Sequence, residues 1–477
     1  MFKYENKNLI YFFIILTSVS FLRIYNLNYE DFWIDEILSF WIADPNLPLE
    51  QTIDRHNNLE QVPILFNLIL KYFYKIFEYN YLTGRYLISF FSILSLIIAV
   101  ILISEVTNNR NSILFFLILI SLNIYLFKYS QELRVYSLLF LLTSLSSLFF
   151  IKILKNDNLF NYFFFFVFTF LSILSHPFAL IVFFSMTTYS LIISYNKQII
   201  NKLNITLILL LILSFGYYFI YFLNLNEITS WIQQINIKFF TNYFFSKFFG
   251  SRILGIIYLI IFLYLVVELR NKIFNSILLF FLLTVLYSYA LPIVFGFFVR
   301  PILIDRYIIF VILPILLLLS ILIFYLENTV IKNSFILILI ITTLINFSFE
   351  NPIKQFFEQP KKNKPDFSQS LNIIQKSNSK FFLIKNFMPY NSEKIKFYKI
   401  LDISVNHYLN HLMNEIDPEL KIVEKDDINS GKHNAVWVLC YMDLDINNCE
   451  LPKFDKKVLI EKNIFLSKIN LKKIKIN

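Results

Sequence analysis

Only six glycines and two cysteines occur in 477 residues, and charged residues make up just 16% of the chain. So small a charged fraction, beside 57% hydrophobic residues, excludes a water-soluble enzyme, where about 25% charged and 45–50% apolar is usual. The shortage of glycine argues against helices packed on Gly-xxx-Gly seams. No glycine-rich loop opens a helix after a strand, so nothing resembles a nucleotide-sugar site. Cys440 and Cys449 have no metal-ligand spacing to a histidine pair. An exported location would let them pair across a short loop, and two separate buried thiols fit the sequence equally well. No internal repeat of fixed period is visible. The net charge of +10 follows from lysines at loop ends and calls for no nucleic acid. The 57 Phe and 29 Tyr, with abundant Ile, Asn and Lys, read as compositional drift. Individual aromatics therefore carry little weight.

What the chain has is apolar runs, recurring to about residue 349 and each near the ~20 residues needed to cross a bilayer. Spans are expected near 8–24, 86–105, 112–129, 135–153, 158–175, 177–195, 204–223, 253–269, 273–297, 307–326 and 333–349. They must be helical, because backbone amides in hydrocarbon need partners in their own segment. The first run is too long, and lacks the cleavage site, for a removable signal peptide. In PILFNLILKYFYKIFEYN (63–80), Asn67, Lys71, Lys75 and Glu78 share one helical face. Leu65, Leu68, Ile69, Tyr72 and Ile76 share the other, which describes a helix lying in the membrane interface, begun by Pro63. A short span with snorkelling lysines is the alternative.

With that helix in plane, the loops at 25–85, 130–134, 176, 224–252 and 298–306 and the tail after 350 fall on one side. Arg110, Lys152, Lys155, Lys197, Lys202, Arg270, Lys272 and Lys332 fall on the other, and Lys3 and Lys7 precede the first span. These plain Asn/Lys connectors read as cytoplasmic. Beyond residue 350 charge rises, and FFLIK and AVWVLCYM read as buried strands. The expected fold is an all-α polytopic membrane domain (1–349) of about eleven transmembrane helices plus in-plane juxtamembrane helices. A small α/β extracytoplasmic domain (350–477) follows.

The outer side carries the chemistry. YEDFWIDEILSFWIA holds Asp35 and Glu36 at the start of an amphipathic helix, where acids also serve as ordinary caps. Further on come Arg85, KYSQELRVYS with Glu132, Arg134 and Tyr136, His176 in SHPF, and VRPILIDRY with Arg300, Asp305, Arg306 and Tyr307. Each alone is ordinary: Arg and Tyr anchor helix ends, and a lone His is usually a satisfied polar contact. Together, four arginines sit on the face where topology disfavours them. A guanidinium matches phosphate oxygens with a planar fork of donors. Carboxylates beside arginines at one membrane face suggest an anionic lipid head group and a general base.

WIDE at 33–36, SQE-x-R-x-Y at 130–136, SHPF at 175–178 and Arg306-Tyr307 resemble the bacterial GT-C glycosyltransferases. The likeness is to the branch related to protein O-mannosyltransferases and the lipid A aminoarabinose transferase. It covers the membrane region to about residue 349. The chain departs from that pattern before the in-plane helix, where Glu60-Gln61-Val62-Pro63-Ile64-Leu65 stands in place of His/Lys-Pro-Pro-Leu-Tyr-Tyr. The resemblance implies a multi-pass protein of the plasma (inner) membrane with an extracytoplasmic active site. It implies a sugar donor linked to a polyprenyl phosphate, a glycan, lipid or protein acceptor, and inversion at the anomeric carbon. Asp35 would be the general base, and Glu36 would orient the acceptor or help bind a divalent ion. No cofactor is required by the pattern, and a divalent metal ion on Asp35 and Glu36 stays open. Arg85, Arg134 and Arg306 would stabilise charge on the departing phosphate. Glu132, Tyr136, His176, Arg300 and Tyr307 would support them.

Two rivals share these features. A polyprenyl-lipid transporter or flippase would use the arginines but need no base, and its ionisable groups would sit nearer the midplane. An oligosaccharide ligase of the same architecture would differ in donor length.

Overall fold

The computed structural model describes residues 6–60, 62–194, 200–223, 232, 244–349, 362–386, 395–430, 432–441, 451, 454–455 and 457–476. Lys3, Lys197, Cys449 and most of the 224–252 loop lie outside the described residues. Two compact units divide the chain. The first comprises 1–25, 60–69 and 85–359, and the second 26–59, 70–84 and 360–477.

The first unit is helical. Among the described residues five helices are long and apolar enough to cross a membrane: Tyr81–Val106, Tyr136–Lys155, Leu278–Phe298, Asp305–Tyr325 and Thr329–Phe347. The other expected positions hold helices Asn6–Ile24, Arg110–Ser121, Leu159–Ser175, Ala179–Ser194, Ile200–Leu223 and Arg252–Glu268. Phe13, Phe163, Phe215, Ile253, Val267 and Val330 are each more than 60% exposed, as residues facing lipid tails would be.

The asparagines have a structural use that composition hides. Asn109, Asn123, Asn158 and Asn328 each accept backbone N–H bonds at the start of a helix, satisfying donors that have no partner inside the helix. Asn123 also breaks the expected span at 112–129. Helix Arg110–Ser121 stops, and a second helix, Ile124–Tyr129, starts on the Asn123 cap, whose Nδ2 donates to the Phe248 carbonyl at 3.0 Å. Twelve residues rise only about 18 Å, short of the ~30 Å hydrocarbon core. Likewise the expected span 273–297 begins later, at Leu278, after a separate turn Arg270–Phe274.

Hydroxyls join the helices where apolar side chains cannot choose a partner. Ser112 donates to the Ser320 carbonyl (2.7 Å), Ser146 meets Thr169 (2.6 Å) and Tyr258 meets Thr343 (2.5 Å). Gly250 has φ 86°, and a β-carbon there would collide with Asn346, so one of the few glycines stands where only glycine fits.

The second unit holds a five-stranded mixed sheet of order β2-β1-β3-β5-β4. Its strands are β1 Phe381–Asn386, β2 Lys421–Ile422, β3 Ala435–Tyr441, β4 Val458–Leu466 and β5 Ile469–Ile476. β1 pairs in parallel with β2 and β3, while β5 runs antiparallel to β3 and β4. The two segments read as buried strands from sequence are β1 and β3, and β3 is buried along nearly all its length, as the continuous apolar run requires. Cys440 on β3 is disulfide-bonded.

In helix Leu65–Ile76, the apolar positions Leu65, Leu68, Ile69, Tyr72 and Ile76 are half-buried or exposed. That outward apolar face is what an interfacial helix needs. Its polar positions divide. Lys75 and Glu78 are exposed, whereas Asn67 and Lys71 are buried. The Lys71 ammonium donates to the carbonyls of Asp44 (2.7 Å) and Leu47 (2.6 Å).

Arg23, fully buried at the end of helix Asn6–Ile24, ties the first unit together. Its guanidinium donates to Ser92 Oγ (3.1 Å) and, through both terminal nitrogens, to the Ser121 carbonyl (3.3 and 3.2 Å). Ser121 ends the interrupted helix, so Arg23 satisfies a carbonyl the helix cannot. Replacing Arg23 by Met should cost roughly 1.5–3 kcal/mol, the worth of charge-assisted bonds lost in the interior. The expected readout is a lower unfolding midpoint in detergent, with Arg23→Lys intermediate. An unchanged midpoint in Arg23→Met would contradict this role.

Candidate active site

The WIDE element lies in the second unit. Trp33, extended (φ −73°, ψ 159°), leads into helix Ile34–Ile42, and Glu36 in the first turn accepts the Trp33 N–H at 3.0 Å. Glu36 thus supplies the capping carboxylate. Asp35 sits one residue earlier, half-buried, with its carbonyl accepting the Ser39 hydroxyl at 3.1 Å.

Glu36 is fully buried, and Lys364 Nζ lies 2.5 Å from its carboxylate. Two residues just before this turn are also anchored. Asp31 accepts the Ser368 N–H (2.7 Å) and hydroxyl (2.5 Å). Its carboxyl is raised above the usual range, first by burial, with the Ser368 bonds acting in the opposite direction. The Phe32 N–H donates to the Tyr408 hydroxyl (3.2 Å), and the two rings stack at 5.1 Å. Asp35 is thereby carried on a turn whose neighbours are fixed.

Beyond the helix, Phe40 stacks on Tyr79 at 4.3 Å. The Tyr79 hydroxyl lies 3.0 Å from the Phe40 carbonyl and 2.9 Å from His407 Nε2. Burial, then neighbouring His411, depresses His407 to about 4, so this ring is neutral at physiological pH. Arg55 lies 3.9 Å over the Trp41 ring and donates to the Trp41 carbonyl at 2.8 Å.

A divalent ion fits poorly on Asp35 and Glu36. The Glu36 carboxylate is already engaged by an ammonium and a backbone N–H, and a cation there would compete with Lys364. Among the described residues no group of three or more His, Cys, Asp or Glu is arranged to hold a metal. No step is assigned to a metal.

The arginine group lies in the first unit. The SQELR loop joins helices Ile124–Tyr129 and Tyr136–Lys155. Gln131 fastens it by donating to the carbonyls of Arg23 (3.2 Å) and Tyr25 (3.3 Å). Arg134, nearly buried, makes a two-pronged bond to Glu60 (2.5 and 3.1 Å). Glu60 is the residue at which the sequence departs from the family pattern, and the departure supplies this partner. Arg306 and Tyr307 sit on a 3-10 turn, Asp305–Val311, kinked at Ile308. The Arg306 guanidinium lies 5.9 Å from the Tyr136 ring centre, and Tyr307 packs 4.8 Å from His176, centre to centre. His176 itself lies 6.4 Å from Tyr136.

Of the residues singled out by sequence, Arg134, Tyr136, His176, Arg306 and Tyr307 come together. Glu132 is buried in the same loop, Arg85 is buried in helix Tyr81–Val106, and Arg300 is half-buried. Asp305 pairs with Lys247 at 3.1 Å. Asp35 and Glu36 belong to the other unit. Sequence reasoning missed Glu60 as a partner, and also Arg23, Asp31 and Lys364. Lys364 lies 328 residues from Glu36, and no local pattern announces the pair.

Lys364→Met should cost about 3–5 kcal/mol, because it takes the countercharge from a charged, buried Glu36. Adding Glu36→Gln to that variant should recover most of the loss, measured as the unfolding midpoint. A double variant as unstable as the sum of the single variants would show that the pair is not coupled.

No protein-family model matches the chain, and no curated protein matches it in sequence. Solved structures do match in shape. The chain is similar to ArnT from Cupriavidus metallidurans bound to undecaprenyl phosphate, with TM-score 0.56 and 10% identity. It is similar to the same protein in the apo state with TM-score 0.59 and 10% identity. Both matches cover 98% of this chain and 97% of the other. The chain therefore has an ArnT-like fold over essentially its whole length.

Proposed function

We propose that this protein moves a sugar from a polyprenyl-phosphate-linked donor to an acceptor of the cell envelope, with inversion. The observation that carries the reading is the convergence of buried Arg134, Tyr136 and His176 with half-buried Arg306 and Tyr307, in a fold shared with a protein bound to undecaprenyl phosphate. Glu60 accepts from Arg134, and the group is rich in hydrogen-bond donors. Such a group suits a lipid phosphate.

In the reaction, an acceptor hydroxyl attacks the anomeric carbon. The bond from that carbon to the phosphate oxygen breaks, and the electron pair leaves with the polyprenyl phosphate. Asp35 takes the hydroxyl proton, since an alcohol needs a positioned base as it attacks. Arg85, Arg134 and Arg306 stabilise the negative charge gathering on the departing phosphate. Glu36 holds the helix start that carries Asp35 and takes no proton. The acceptor is a glycan, lipid or protein, and the sugar a hexose or pentose. In this reading the chain crosses the plasma membrane about eleven times, the crossing at 112–129 being made by two helices broken at Asn123, with helix Leu65–Ile76 in the outer interface. The sheet-bearing unit and the reacting groups face away from the cytoplasm.

Asp35→Asn separates catalysis from folding, because Glu36 caps the helix. The variant should accumulate at the wild-type level and bind donor lipid. Transfer should fall by a factor on the order of 10²–10⁴, the usual effect of losing a general base. Undiminished transfer by Asp35→Asn would remove Asp35 from the mechanism.

A further inference from the structure

His176 has half of its hydrogen bonding supplied by the chain. It lies between helices Leu159–Ser175 and Ala179–Ser194 and is 1% exposed. The Phe178 N–H donates to its Nδ1 at 3.2 Å. A ring nitrogen that accepts a hydrogen bond carries no proton, so the neutral imidazole has its hydrogen on Nε2. Among the described residues, Nε2 has no hydrogen-bond partner. The ring also stays neutral. Burial first, then the charges of Arg134 and Arg306, hold it down at about 3, far below the ordinary histidine range.

These facts specify what can meet Nε2. The partner must bring an acceptor, because Nε2–H only donates. It gains from negative charge, because the charges of Arg134 and Arg306 both reach this ring. A water or an amide carbonyl offers the acceptor alone. A phosphate oxygen offers both. A third cation beside Arg134 and Arg306 would repel them, whereas a neutral N–H adds a bond at no such cost.

We propose that His176 Nε2–H is a neutral hydrogen-bond donor to a non-bridging oxygen of the polyprenyl phosphate. This rests on the donor reading given under the proposed function. The histidine binds the phosphate without exchanging a proton with it, and so holds the leaving group without becoming a general acid.

The test measures binding of undecaprenyl phosphate to the purified full chain in detergent, with undecaprenol as the control that lacks phosphate. His176→Asn keeps an acceptor for the Phe178 N–H but cannot reach as Nε2 does. His176→Gln places an amide N–H near the Nε2 position. His176→Asn should bind undecaprenyl phosphate about ten- to a hundredfold more weakly, the worth of one bond to a charged group. His176→Gln should recover most of that, and neither change should alter undecaprenol binding. If the Asn variant does not fold, His176→Met, which lacks a donor, gives the same contrast with Gln. Arg306→Ala calibrates the phosphate contribution. Loss in Arg306→Ala with wild-type binding in His176→Asn, or a Gln variant as weak as the variant without a donor, would overturn the His176 assignment alone. Equal loss of undecaprenol binding would also overturn it. Failure of the wild-type chain to bind undecaprenyl phosphate in preference to undecaprenol would overturn the donor reading beneath it.

Discussion

A charge or a backbone dipole buried away from water persists only if the chain supplies its partner. That constraint explains the placement of most buried polar groups in both units. Glu36 is held by Lys364 and the Trp33 N–H, Arg134 by Glu60, and Lys71 by two carbonyls. Arg23 closes the carbonyl left by an interrupted helix and, through its own carbonyl, receives the Gln131 side chain that fixes the SQELR loop. Among the described residues His176 Nε2 is one of several buried side-chain atoms for which the chain supplies no hydrogen-bond partner.

Much of the fold was legible because lipid imposes a simple code. A run of about 20 apolar residues must be a helix, and helices lie at each expected position. The break at Asn123 was not legible, since an asparagine inside an apolar run reads as tolerated polarity until its cap and its bond to Phe248 are known. Helix Leu65–Ile76 has the outward apolar face that its periodicity predicts. Its polar face was misread in part: Lys71 points to carbonyls supplied by residues 44 and 47, which periodicity cannot foresee.

The site divides in the same way. Arg134, His176, Arg306 and their tyrosines were found as separate sequence motifs, because arginines at the ends of apolar runs are conspicuous. Their partners were not. Glu60 looked like a defect in a motif, and Lys364 like one of many lysines in a polar segment. Pairings across tens or hundreds of residues leave no trace in spacing. The division of labour between Asp35 and Glu36 was also hidden, because two adjacent acids at a helix start are equivalent until one is seen to cap the helix.

The account stands or falls on whether the sugar–phosphate bond is broken. Purified wild-type chain in liposomes should be given envelope lipids containing polyprenyl-phosphate-linked sugars together with envelope acceptors. Mass spectrometry then follows both lipid and acceptor. Free polyprenyl phosphate appearing in step with a glycosylated acceptor is the expected result. Donor lipid that crosses the bilayer with its sugar still attached, and no glycosylated product, would contradict a transferase and identify a carrier of the same lipid.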